Sequence, residues 1–245
     1  ETPGILMGIL YSSFDKTMLA NNRGSESVGY YEFGTKFSII LKHFMDAISR
    51  SWIPFFMENA QKNTQNNNEI IVKRFYELAF LFGAIGLTVS LFSEEALIVL
   101  TTEGFYSAKY LIPLLIISVL FGTLGFLSVN QIMYAEKLIY NLPVSVLSLV
   151  VNLVLNIILI PKYGALGAVI ATAITSIIAS IVLLYLANKA YRLLHSYRRL
   201  ILYMLLVIIL SLLSYPVIAA DISLLYKIIM KVLLIVAYIF FAIRI

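Results

Sequence analysis

Eight mostly apolar stretches of about 20 residues follow one another along the chain and leave little choice of fold. They run roughly over 3–20, 29–56, 72–93, 109–135, 140–160, 164–187, 199–218 and 223–243. A helix needs about 20 apolar residues to cross hydrocarbon, whereas a barrel strand shows about ten residues of alternating polarity. Long continuous runs therefore predict an all-α polytopic membrane protein with about eight transmembrane helices. The composition agrees: 61% of the residues are hydrophobic and 13% charged, with a mean hydropathy of +0.93. Soluble domains hold about 45–50% and about 25%. No cysteine is present, which excludes disulfide and thiol chemistry. A net charge of +5 fits basic cytoplasmic loops better than a nucleic-acid partner. The chain opens ETPGILMGIL, without an initiator Met, a basic leader or a cleavage pattern, and is expected to be a fragment lacking its N-terminal portion.

The connectors are short. The longest polar one, MENAQKNTQNNNE over residues 57–69, is rich in Asn and Gln and reads as a solvated loop. Loop Lys and Arg orient a membrane protein. With a cytoplasmic start, the inner ends hold Lys62, Lys73, Arg74, Lys137, Lys189, Arg192, Arg198, Arg199 and Arg244. The outer ends hold Lys16, Arg23, Lys109, Lys162, Lys227 and Lys231. The segment NKAYRLLHSYRR, 188–199, supplies most of the inner excess, and SEEALIVLTTEG reads as an acidic outer loop.

The second stretch carries a contradiction. TKFSIILKHFMDAISRSWIPFF, 35–56, is apolar enough for a membrane yet holds Lys36, Lys42, His43, Asp46 and Arg50. One ionisable group at the bilayer centre costs at least ~2.5–3.5 kcal/mol. At about 100° per residue, Glu32, Lys36, His43, Asp46 and Arg50 fall within about 80° of one another, with Lys42 at the flank. Leu41, Phe44, Met45 and Ile48 take the other side. The charges form a stripe able to face a watery cavity, and Asp46 can pair with Lys42 or Arg50 at i±4. The surplus cations suit a phosphate or diphosphate. An interfacial helix with snorkelling side chains, or ion pairs that only join helices, would place the same residues.

Residues 148–189 carry packing signals. Asn152 and Asn156 share a helix face and seek partners on neighbouring helices. Pro161 ends that helix, and Gly164, Gly167, Ala168, Ala171 and Thr172 open the next with a small-residue face for close helix contact.

NLVLNIILIPKYGALGAVIATAI, within this region, resembles the late-helix signature of Wzx-type polysaccharide flippases. These belong to the multidrug/oligosaccharidyl-lipid/polysaccharide exporter superfamily. Three further stretches agree in order: SSFDKTMLANNRGSESVGYYEFGTKF (12–37), ISRSWIPFFMENAQ (48–61) and YSAKYLIPLLIISVLFGTLGFLSVNQIMYAEK (106–137). The resemblance spans about residues 3–190. It implies the C-terminal portion of such a protein: residues 1–190 as a second six-helix lobe, 191–245 as two added helices, and a first lobe absent from the chain. It also implies an O-antigen or capsule role in a bacterial inner membrane, where undecaprenyl-diphosphate-linked oligosaccharides cross by alternating access through a cationic central cavity.

On that reading Lys36, Lys42, His43, Asp46 and Arg50 line the cavity, with Lys36, Lys42 and Arg50 drawing the diphosphate. Tyr30, Tyr31, Asn130 and Gln131 either meet sugars or pack and anchor helices. Pro113, Gly122 and Gly125 either let a helix bend or pack closely. No cofactor or metal is expected, and transport would draw on an H+ or Na+ gradient, the choice between them open. The lipid-linked oligosaccharide and the bilayer are the expected partners, with a polysaccharide polymerase and a chain-length regulator beside them. A lipid II flippase shares the architecture and the cationic cavity. A cation-coupled multidrug exporter would need a carboxylate, for which Asp15 and Asp46 are the candidates, and a net-acidic cavity. A membrane enzyme would need a large loop and a catalytic cluster, and the two histidines, His43 and His195, lie far apart in sequence.

Overall fold

The computed structural model describes residues 2–62, 64–193, 198–220 and 223–244, with side chains from residue 14 on, residue 243 excepted. His195 lies outside the described residues. Every regular element among them is helical. In chain order these are α1 (Thr2–Lys62), α2 (Gln65–Leu91), α3 (Ser93–Leu100), α4 (Ile112–Tyr134), α5 (Asn141–Tyr163), α6 (Ala165–Ala190), α7 (Arg198–Leu212), α8 (Ser214–Ala219) and α9 (Leu224–Arg244). Short 3-10 turns, Glu103–Tyr110 and Leu138–Tyr140, precede α4 and α5.

The first two expected helices are the two arms of α1. Gly24 breaks it with φ 80° and ψ 172°. The Tyr31 hydroxyl donates to Asp15 at 3.2 Å, and Lys16 Nζ lies 2.9 Å from Glu32 Oε1. Residues 16 apart on a straight helix stand about 24 Å apart, so the chain doubles back at Gly24. Arg23, next to this reversal, donates to the Pro161 and Lys162 carbonyls at 3.0 and 3.1 Å. It thereby places a cation on the carbonyl end of α5.

Five helices are long and apolar enough to cross a membrane, and α2 with α3, bent by 57°, would form a sixth. The expected count of eight is therefore not reached among the described residues. The charged second arm of α1 is what length and apolarity alone pass over. The expected loop over 57–69 also shrinks, since α1 runs to Lys62 and α2 starts at Gln65. Composition misled because the amides are partnered. Thr64 caps α2 by accepting from the Asn67 N–H at 3.2 Å. Asn67 Nδ2 donates to Asn59 Oδ1 at 2.8 Å, and the Tyr191 hydroxyl donates to Asn68 Oδ1 at 2.8 Å.

α4 is the central helix. It packs against α1, α2, α6 and α7, and 67% of its apolar window is buried, against 11% for the peripheral α9. Lipid is as apolar as leucine, so packing and interhelical hydrogen bonds must hold such helices together. At Gly125 an added Cβ would press on Leu183 Cδ2 at 3.2 Å, and at Gly167 it would strike the Leu159 carbonyl of α5. Both glycines thus buy close helix approach. Trp52 Nε1 donates to the Leu127 carbonyl at 3.2 Å, and the Tyr134 hydroxyl to Ala60 at 3.0 Å, tying α1 to α4. Pro113 sits in the first turn of α4, where a missing N–H costs nothing, and so marks a helix start rather than a bend. α5 runs past Pro161 to Tyr163, and Gly164 turns the chain with φ 59°.

Candidate functional site

The second arm of α1 has two unlike faces. Gly34, Ser38, Leu41, Met45, Ser49, Trp52 and Phe56 are buried at i, i+3 and i+4 spacing and pack inward. Lys36, His43 and Arg50 lie about 140–180° away and are exposed, while Lys42, also exposed, and the half-buried Asp46 stand on the flank between the two faces. Helical periodicity thus places Lys36, His43 and Arg50 on the face turned away from the core of this chain, with Lys42 and Asp46 at its edge. Ile39, Ile40 and Phe44 are also exposed, at 48, 69 and 50%, so Phe44 on the other flank is not packed into the core as Leu41 and Met45 are.

The stripe is tethered at one end, where Glu32 pairs with Lys16 on the other arm. Lys36 Nζ stands 5.8 Å from the centre of the Phe33 ring. Asp46 is in no ion pair within 4.0 Å among the described residues, although Lys42 and Arg50 are four residues away on either side. The i±4 pairs that the spacing allows are therefore not made among the described residues. Three cations against one carboxylate leave this face cationic. None of the five lines a described cavity. A face of one helix cannot enclose a cavity alone; whatever lies opposite must close it.

Other expected residues go elsewhere. Asn130 and Gln131 are 2 and 4% exposed. Asn130 Nδ2 donates to the Leu127 carbonyl, and Gln131 Nε2 to the Tyr191 carbonyl at 2.8 Å, so both serve packing. Tyr31 is buried on Asp15, while the Tyr30 hydroxyl donates to Ser27. A Cβ at Gly122 would meet nothing, which leaves that position free of close packing. Outside the apolar spans, burial and the nearby Tyr134 raise the Tyr191 phenol, and the hydrogen bond from Lys62 lowers the Glu58 carboxyl.

Two polar clusters were not legible as clusters. Asp15 is 2% exposed and accepts from Tyr31 and, at 2.5 Å, from Asn156 Nδ2. Asn156 Nδ2 also reaches Asn152 Oδ1 at 2.8 Å, while Asn156 Oδ1 and Asn152 Nδ2 have no partner among the described residues. In the first half of α9, Lys231 is fully buried with Nζ 2.6 and 2.7 Å from the two Glu95 oxygens. Glu94 draws Lys109 at 2.8 Å and Lys227 at 3.4 Å. The acidic stretch read as an outer loop is thus α3, neutralised by lysines from two other segments. The amide pair had a signal, its i+4 spacing; the α3–α9 cluster had none, since its partners stand 136 residues apart.

Comparison with known proteins follows the same lines. No family model matches the chain. The chain is 27% identical, over 69% of its length and 36% of the relative's, to a probable low-salt glycan biosynthesis flippase, Agl15, of Haloferax volcanii. It is 25% identical, over 76% of its length and 47% of the relative's, to the capsular polysaccharide biosynthesis protein CapF of Staphylococcus aureus. Its fold matches the lipid II flippase MurJ in an inward closed conformation, with a TM-score of 0.70 at 15% identity. In sequence and in fold the chain thus resembles proteins named as flippases. That match covers 96% of the chain and 51% of MurJ, so the chain spans about half the length of the proteins it resembles, or less. It is a multi-pass membrane protein, with the all-helical fold that the apolar runs predict.

Proposed function

We propose that this chain is the second-lobe half of a transporter that moves undecaprenyl-diphosphate-linked oligosaccharides across the bacterial cytoplasmic membrane for polysaccharide synthesis. The observation that carries this reading is the cationic stripe on the outward face of α1. A sugar diphosphate cannot cross hydrocarbon unaided, and a hydrated cationic passage lowers that barrier. Lys36, Lys42 and Arg50 would attract the diphosphate, Asp46 would temper their field, and His43 would border the passage. The lobes would rock about this site in alternating access. The division into a lobe over 1–190 and two added helices over 191–245 belongs to the same proposal, as do a polymerase and chain-length regulator as partners. The role is transport rather than enzymatic catalysis.

Coupling to H+ or Na+ is supported by Asp15. It is a buried carboxylate that accepts from the Tyr31 hydroxyl and the Asn156 amide nitrogen, with Asn156 Oδ1 without a partner among the described residues. Asp46, half-buried among cations, offers an ion no such setting.

The test is a Lys36→Gln/Arg50→Gln double variant of the full-length protein in cells deleted for the gene. Export should fall at least ~10-fold, with lipid-linked oligosaccharide trapped on the cytoplasmic face, if two charge-assisted contacts to the diphosphate are lost. Undiminished export would remove the stripe from the pathway. The fold match to MurJ favours lipid II as a second cargo; accumulation of lipid II in place of oligosaccharide-lipid in the deletion would select it.

A further inference from the structure

The largest described cavity belongs to none of these features. It holds about 1230 Å³ between the first half of α2, the link after α6, the start of α7 and the end of α9. Four cations converge on it from separate elements: Lys73 of α2, Arg192 of the link, and Arg198 and Arg199 of α7. Two carboxylates, Glu69 and Glu77, also line it. Arg74 pairs with Glu77 at 2.6 Å, and Glu69, bonded only by the neutral Gln65 amide at 3.1 Å, keeps its charge; four lining cations against two carboxylates still leave the cavity cationic.

Its walls are held in place. Tyr76 and Tyr203 face each other with ring centres 6.2 Å apart. The Tyr203 hydroxyl donates to the Ala242 carbonyl at 2.9 Å, and the Tyr238 hydroxyl to Phe80 at 2.9 Å, joining α7, α9 and α2. The cavity is also fixed in depth. One span closes at Ala190, another opens at Arg198 and a third closes at Ala242, so three membrane crossings end around it. It therefore sits at a membrane boundary, on the side to which the Lys and Arg excess assigns the cytoplasm.

We infer that this cavity binds the phosphate headgroup of an anionic phospholipid from the cytoplasmic leaflet. Basic pockets between helices on that side suit such headgroups. Orientation alone requires only cations in loops; it does not require Lys73, Arg192 and Arg199 to converge from three elements on one space. A small soluble anion would leave most of 1230 Å³ unfilled and gain nothing from the apolar wall of Val72, Phe80 and Leu193. A phospholipid uses both. Beside the cavity α7 exposes Ile201, Leu202 and Leu205, which offer acyl chains a path into the bilayer. The inference stands apart from the transported cargo, since none of the five stripe residues lines this cavity.

Native mass spectrometry of the full-length protein in detergent tests this directly. Phosphatidylglycerol should be retained in preference to phosphatidylcholine, and Arg192→Gln/Arg199→Gln should weaken its retention on the order of 30-fold, the effect of two interfacial charges. Arg192→Lys/Arg199→Lys keeps both charges and should retain most of the binding, which separates lost charge from lost fold. Equal retention of the two lipids by the unaltered protein would overturn the site. So would full phosphatidylglycerol retention by the Gln variant. Displacement of the lipid by millimolar inorganic phosphate would overturn the lipid in favour of a free anion.

Discussion

Lys231 shows what a buried charge demands. It is fully enclosed, its ammonium stands between the oxygens of Glu95, and Glu94 lies 4.0 Å away. Removing one member of a buried pair leaves the other uncompensated, at about 3–5 kcal/mol. Lys231→Met should therefore lower the thermal unfolding midpoint in detergent markedly, and Lys231→Met/Glu95→Gln should recover part of the loss. Equal midpoints for the single variant and the unaltered protein would mean that the pair contributes nothing. Single residues were legible only where their partners are near in sequence or where periodicity speaks for them. The stripe from Lys36 to Arg50 followed from 100° per residue alone. The outward exposure of Phe44, the open Asp46 and the lysines gathered on α3 depend on tertiary placement, which no local spacing encodes.

Helix boundaries follow from a few backbone positions. Gly24 adopts φ 80°, and a Cβ there would meet nothing within 4 Å. With ψ 172° Gly24 occupies a region open essentially to glycine alone, so Gly24→Ala should cost about 1–3 kcal/mol from backbone conformation. Thr64→Ala removes the cap of α2 and should cost about 1 kcal/mol. Chemical denaturation of the purified protein measures both, and a neutral Gly24→Ala would show that the reversal does not depend on left-handed φ. Sequence reading caught the close contact of α5 with α6, because small residues advertise themselves, but it ended α5 at Pro161, whereas the helix runs on to Tyr163 and turns at Gly164. It misplaced the junction of α1 and α2. An Asn-rich run looks solvated until Asn59, Asn67 and Asn68 are seen to satisfy one another and Tyr191.

The molecule as a whole turns one polar face outward. α5, α7 and α9 expose Ile157, Ile209 and Phe241 at 51–53%, as helices against lipid should. The second arm of α1 instead exposes three cations on a membrane-embedded fold, and a bilayer would charge heavily for that. Water opposite the stripe resolves the conflict; lipid opposite it does not. The chain's own lack of cysteine makes the distinction measurable. In a full-length protein otherwise freed of cysteine, Ala47→Cys lies among the stripe residues and is exposed, Ile181→Cys on α6 is 54% exposed without nearby charge, and Leu41→Cys is buried. A thiolate is the reactive form, and it survives only where water solvates it. Ala47→Cys should therefore react with a water-soluble maleimide at least ~10-fold faster than Ile181→Cys or Leu41→Cys. Slower labelling in the presence of lipid-linked oligosaccharide would place the cargo in the same water. An Ala47→Cys as inert as Ile181→Cys would instead put the stripe against hydrocarbon or protein, and the ionisable face of α1 would then be an interfacial or helix-joining one.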